Sequence, residues 1–157
     1  MNSYFETRRS SSDCVQFVYA DGVGAEDAGL REDLNRLGIK YAYVDYLEIK
    51  RNGEHIVNAI AKSLSLTHAP YMPPTEAFRI KVIVPFLDDL VGLSQKVAGV
   101  AIIIDNADIF LADDSKTMFV LIEAFLHQFS TWFEKRKPCH LCFQMERSEW
   151  PKRIFAS

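Results

Sequence analysis

The sequence predicts an α/β protein, a three-layer sandwich of helices packed around a mainly parallel sheet of at least four strands. Three observations point there. Short β-branched runs alternate with segments whose apolar residues recur at helical spacing. One run, Val100-Ala101-Ile102-Ile103-Ile104, is apolar at every position, as suits a strand covered on both faces, and it stops abruptly at Asp105. Strands separated by helices of this length pair in parallel through right-handed crossovers.

Each element has its own local signal. A polar, Ser-rich stretch from 1 to 13 precedes Cys14-Val15-Gln16-Phe17-Val18-Tyr19, a first strand punctuated by Asp21-Gly22-Val23-Gly24. Leu30, Leu34 and Leu37 then recur at helical spacing, and Gly38 stands where a helix end favours a residue tolerant of positive φ. Tyr41 to Tyr46 reads as a second strand. Ile56, Val57, Ile60, Ala61 and Leu64 form the apolar face of a second helix, and three prolines between Thr67 and Pro74 mark a loop. Phe78, Val82, Phe86, Leu87, Leu90 and Leu93 continue a helical stripe that Pro85 should kink or restart. After the strand ending at Asp105, Ala112-Asp113-Asp114-Ser115 reads as a polar turn. Met118, Leu121, Ile122, Phe125, Phe129, Trp132 and Phe133 give the clearest helix, with Trp132 and Phe133 expected to complete the core. Cys139 to Met145 is a fourth strand, so that 14–147 reads as one α/β domain followed by a tail, 148–157.

Composition narrows the functions. A chain of 157 residues with 48% hydrophobic and 25% charged residues is a folded domain with a sizeable core. A formal net charge of −3 supplies no general attraction to nucleic acid or to an anionic membrane. Lys135-Arg136-Lys137 with Lys152-Arg153 is the one local basic candidate, and runs of this size are ordinarily solvated loop ends. No apolar stretch reaches the roughly 18 residues that cross a bilayer. Three cysteines, an odd number, fit a reducing compartment better than a disulfide framework. The expectation is a cytoplasmic protein.

The chemistry-bearing positions lie at strand ends, where open α/β sheets place ligands. A loop that cradles phosphates has the pattern G-x-x-x-x-G-K-[ST], whose lysine meets the β/γ oxygens and whose hydroxyl meets Mg²⁺. After the first strand this chain has Gly22-Val23-Gly24-Ala25-Glu26-Asp27-Ala28-Gly29, of suitable length and leading into a helix. Asp27, Ala28 and Gly29 stand where Gly, Lys and Ser or Thr are needed. Losing the lysine removes the main fixed cation, and Glu26 with Asp27 would bring carboxylates towards a triphosphate. Those acids suit a helix N-terminus instead. Asn106 follows Asp105 where a water-polarising glutamate would sit, and a carboxamide cannot act as a general base. Asp108 is badly placed to substitute.

The order of elements, the Gly22 loop, Ala101-Ile102-Ile103-Ile104-Asp105 and the polar strand end at Gln144 resemble the core of an AAA-type or STAND-type P-loop ATPase domain. The likeness runs over Cys14 to Arg147 and is one of pattern, with its most specific motif broken. It implies that Asp105 is the metal acid if Mg²⁺ is bound, that Gln144 approximates the sensor position of the fourth strand, and that Asn106 departs from the catalytic acid. The chain is expected to lack the helical lid that usually accompanies such a core. The resemblance thus implies a degenerate, non-hydrolysing relative, or a domain that works beside another polypeptide.

Other features have simpler readings. Cys139-His140-Leu141-Cys142 has the C-x-x-C spacing of redox pairs and zinc half-sites, yet within a strand the two thiols fall on opposite faces, and Cys14, His68 and His127 complete no recognisable zinc spacing. A glutaredoxin-like start over Val15 to Asp45 has the right rhythm but lacks paired thiols after the first strand. His55 and His68 read as surface or cap residues, and Asp88-Asp89 and Asp113-Asp114 as solvated acids. Two functions remain. The first is a noncatalytic regulatory or protein-interaction domain, self-associating or bound to another protein, without a cofactor, with Arg147, Trp150, Arg153 and Phe155 as interface candidates. The second is an atypical ATP- and Mg²⁺-binding domain of a mobile-DNA, signalling or defence system, with Arg147 or Arg153 reaching a partner's nucleotide.

Overall fold

A computed structural model describes residues 14–20, 28–66 and 83–146 of the chain. Four strands, β1 (Val15–Ala20), β2 (Ile39–Asp45), β3 (Gly99–Asp105) and β4 (Cys139–Glu146), alternate with five helices, α1 (Ala28–Arg36), α2 (Tyr46–Arg51), α3 (Ile56–Ser63), α4 (Val84–Leu93) and α5 (Ala107–Glu134). The strands lie in the order β1-β4-β3-β2, and every neighbouring pair is parallel. The fold is therefore α/β.

Side-chain alternation sends each strand's residues to two different layers. Ala42, Val44, Val100, Ile102, Ile104, Leu141 and Phe143 pack with Val57 and Ile60 of α3, Phe86 and Leu90 of α4, and Phe110, Met118, Phe125 and Trp132 of α5. Ile39, Ala101, Ile103 and Cys142 face the other way, onto Leu34 of α1. The two layers are unequal. Among the described residues, one holds most of the apolar volume beneath four helices, and the other is a thin seam beneath one.

Local signals explain the boundaries. Gly38 has φ +70 and turns the chain from α1 into β2, as its placement after the leucine stripe predicts. Pro85 lies in the first turn of α4, where its missing N–H is harmless, so it starts the helix and does not bend it. The stripe residues Phe78 and Val82 lie outside the described residues, as do the prolines from Thr67 to Pro74. His55 caps α3, its Nδ1 accepting from Val57 N–H at 3.3 Å.

Three expectations need correction. The second strand ends at Asp45, and Tyr46 opens an additional helix, because the Asp45 carboxylate accepts from Leu47 N–H at 2.9 Å and caps it. The polar segment 112–115 does interrupt the chain, but as a kink rather than a full turn: two helical stretches of α5 meet at Asp114 (φ −148, ψ 63), whose carboxylate accepts from the Thr117 hydroxyl at 2.6 Å and from Thr117 N–H at 3.2 Å. Phe133 does not complete the core. Trp132 is fully buried with its indole N–H on the Gln128 amide oxygen, whereas Phe133 is exposed.

The basic run at the end of α5 is partly structural. Lys135 Nζ donates to Ser94 Oγ at 2.8 Å, and Lys137 Nζ donates to the Ser94 carbonyl at 2.6 Å. Both cations thus sit at the C-terminus of α4, where they oppose its dipole.

Two outcomes test this packing. A Cβ at Gly99 would lie 2.9 Å from the Pro138 carbonyl oxygen and 3.3 Å from Ile39. Gly99→Ala is expected to lower the unfolding free energy by about 1–3 kcal/mol in urea titrations, because backbone must move. Burial holds the His55 pKa below 6.5, with the Asp114 charge pulling the other way. The unfolded chain therefore takes up this proton first as pH falls, so the cap's contribution is complete above pH 6.5 and lost below it, at up to about 1.4 kcal/mol per pH unit. His55→Asn, which caps without titrating, should remove that component from a pH series of unfolding curves.

Candidate functional site

Because all strands run in parallel, their C-terminal ends share one edge of the sheet. The register aligns Asp45 of β2 with Asp105 of β3. One residue before, Ile104 pairs with Phe143, which brings Gln144 of β4 level with Asp105, and Gln144 pairs in turn with Val18 of β1. Asp45, Asp105 and Gln144 thus form a polar row above a hydrophobic sheet.

Two carboxylates on adjacent strands repel unless donors stand between them. Asn106 supplies those donors. Its backbone N–H reaches Asp105 Oδ1 at 2.8 Å, and its side-chain Nδ2 reaches Asp45 Oδ1, also at 2.8 Å. To do both it adopts the left-handed conformation, φ 54 and ψ 39, which asparagine tolerates better than most residues. Tyr43, two residues before the end of β2, donates its hydroxyl to Asp105 Oδ2 at 2.5 Å. Each oxygen of Asp105 therefore already accepts a hydrogen bond from the chain itself.

The row continues into the start of α5. Tyr46 stacks on Phe110, with ring centroids 4.8 Å apart, and its hydroxyl donates to Asp113 Oδ2 at 3.1 Å. Lys50 Nζ meets the same oxygen at 2.5 Å. These two partners, Lys50 first, hold the Asp113 carboxyl below its usual range, while burial and the Asp113 bond push the Tyr46 phenol up to about 12. Asp113 and Asp114 are exposed, as expected of solvated acids, and they also join α2 to α5 and shape its break. A hollow of about 250 Å³ beside the row is lined by Tyr43, Asp45, Glu48, Ile49, Asn52 and Glu54, a markedly acidic wall for any phosphate.

The sequence-predicted positions divide accordingly. Asp105, Asn106 and Gln144 come together at the C-terminal edge, Gln144 being buried within β4. Ala28 and Gly29 open α1. Gly22, Gly24 and Asp27 of the loop, and Arg147, Trp150, Arg153 and Phe155 of the interface candidates, lie outside the described residues. Asp108 is buried in the first turn of α5. Tyr43 and Asp45 were not singled out from sequence. Asp45 carried a signal, an acid ending a β-branched run as Asp105 does, but a tyrosine within a strand gives no hint that its hydroxyl will reach across to a neighbour.

The C-x-x-C pair separates as strand geometry requires. Cys139 faces the large core and Cys142 the thin seam. All three cysteines are free and buried, and burial together with the adjoining Cys14 pushes the Cys139 thiol well up, away from the reactive thiolate form. No described helix is long and apolar enough to cross a membrane. No protein-family model and no curated protein sequence matches the chain.

The Asn106 bridge makes a direct prediction. Asn106→Gly keeps the backbone conformation but removes the Asp45 contact, and is expected to lower stability by about 1–2 kcal/mol. Asn106→Glu should lower it further, since it adds a third carboxylate beside Asp45 and Asp105. Urea unfolding of the two variants in parallel reads the difference, and an Asn106→Glu protein as stable as the parent would refute the bridging role.

Proposed function

We propose that this chain is a noncatalytic protein-interaction or regulatory domain built on a degenerate P-loop ATPase scaffold. One observation carries the reading. Asp105, the acid that would hold Mg²⁺, accepts from Asn106 N–H and from the Tyr43 hydroxyl on its two oxygens, and Asn106 occupies the place of the catalytic acid while bridging to Asp45. A Mg²⁺ ion reaching Asp105 would compete for a carboxylate whose two oxygens each already accept a hydrogen bond, one from Asn106 N–H and one from the Tyr43 hydroxyl. The polar row is therefore a structural seal across the strand ends.

The strand order supports the scaffold. The chain leaves β1 for the far edge of the sheet at β2, then fills back through β3 to β4, which lies beside β1. The crossover helix α1 covers one face and α5 the other, so the C-terminal ends of β1 and β4 flank the point where the winding reverses. Open α/β sheets bind ligands at such points, and the segment after β1 is where the phosphate loop of the resembled family lies. In this reading the crevice is inherited from the resembled family, with its lysine and catalytic acid replaced. Three free, buried thiols support a cytoplasmic setting. The partner in this reading is another protein or a second copy.

Calorimetric titration with ATP and Mg²⁺ tests it. No saturable heat is expected up to high micromolar nucleotide. Saturable binding abolished by Asp105→Ala would overturn the reading and establish an atypical nucleotide-binding domain in its place.

A further inference from the structure

The cysteines divide into one pair and one outlier. Cys14 and Cys139 are buried in the same large core layer, whereas Cys142 faces the thin seam on the other side of the sheet. The Cys14 carbonyl accepts from Leu141 N–H at 2.7 Å, which seats Cys14 beside the start of β4. Val15 pairs with Leu141, so Cys14 stands level with His140 and one step out of register with Cys139. Neighbouring strands lie about 4.8 Å apart and one step along a strand is about 3.3 Å, which puts the two Cα atoms roughly 6 Å apart, inside the span of a disulfide. The side chains meet across that gap, the Cys139 thiol being hydrogen-bonded with Cys14.

The position of the pair gives the contact a consequence. Among the described residues β1 is an edge strand, held on one side only, by β4. Its start opens at lower cost than the central strands do, and Cys14 is the residue just before that start. Cys14 and Cys139 are also far apart in sequence, and a crosslink between distant residues constrains the unfolded chain most. A bond between them would therefore fasten the weakest-held strand of the sheet.

We propose that Cys14 and Cys139 are a redox-responsive staple, held as two thiols in a reducing setting and closed to a disulfide when the surrounding thiol–disulfide balance turns oxidising, so that β1 is locked onto β4. The co-reactant is a low-molecular-weight disulfide of the oxidised glutathione type. When β1 opens at its start, the Cys14 sulfur attacks one sulfur of that disulfide, its S–S bond breaks, and one glutathione leaves with the proton that Cys14 gives up. The Cys139 sulfur then attacks Cys14 Sγ, displacing the second glutathione, which takes the proton from Cys139. Two cysteine sulfurs have together lost two electrons, and one disulfide has become two thiols. Burial keeps Cys139 in its protonated form while the strand is closed, so the staple follows a sustained redox balance and not a brief exposure to oxidant. The staple is independent of whether the domain binds nucleotide or protein.

Equilibration in glutathione buffers of stepped oxidised fraction tests it, approached both from the folded protein and from the reduced, urea-unfolded chain, with free thiols trapped and then counted. The parent should lose two of its three thiols together, with peptide mapping linking Cys14 to Cys139 and leaving Cys142 free. Cys142→Ser should behave as the parent does, whereas Cys14→Ser and Cys139→Ser should each form no internal disulfide. The oxidised parent should unfold at a urea concentration on the order of 1 M above that of the reduced parent, a shift absent from Cys139→Ser. Three thiols retained at the most oxidising balance, glutathione left attached to Cys14, or a disulfide that includes Cys142 would each overturn the inference.

Discussion

Two aspartates at the ends of adjacent parallel strands create the constraint around which the upper edge of this molecule is arranged. Asp45 and Asp105 are in register, so their charges are brought together by the same hydrogen-bond ladder that stabilises the strands. Asn106 resolves the conflict with two donors, one from the backbone and one from the side chain, and Tyr43 supplies a third. The consequences spread along the chain. Asp45, held in place, caps α2; α2 carries Tyr46 and Lys50 to Asp113; and Asp113 ties down the start of α5. A left-handed residue is the price of the arrangement, and such backbone is stable only where its surroundings determine it this fully.

Much of this architecture was legible in the sequence because it depends on local patterns. The uniformly apolar run before Asp105, the helical spacing of Ile56 to Leu64 and of Met118 to Trp132, the terminating Gly38 and the starting Pro85 all act within a few residues of themselves. The errors fell where a contact distant in sequence decides the local structure. Helix α2 exists because Asp45 caps it, and a single acid after a β-branched run does not announce a six-residue helix. The adjacent acids Asp113 and Asp114 resemble a turn in isolation, but Asp113 is held by Lys50 and Tyr46 and only Asp114 leaves helical geometry, so the turn is reduced to a single-residue break. Phe133 fits the helical repeat of the core as well as Trp132 does, and only the relative rotation of α5 on the sheet separates them.

The same distinction holds for the site. Asp105 and Asn106 could be found from the end of an apolar strand, where an acid is followed directly by a carboxamide. What the carboxamide does was not visible, because its partner lies 61 residues earlier in the chain. The hydrogen bonds show what a glutamate at 106 would disturb, since it would remove the side-chain donor that bridges to Asp45 beside Asp105.

The interruption at Asp114 has a mechanical meaning. A continuous hydrogen-bonded helix transmits bending and fraying along its length, whereas a residue outside helical geometry acts as a joint. On one side of it, the first two turns are anchored to the strand ends through Phe110 and Asp113; on the other, a rod of roughly five to six turns lies against the sheet. Each part answers to its own contacts. The carboxylate row is held by Asn106 and Tyr43, and the first part of α5 by Asp113, all before this break.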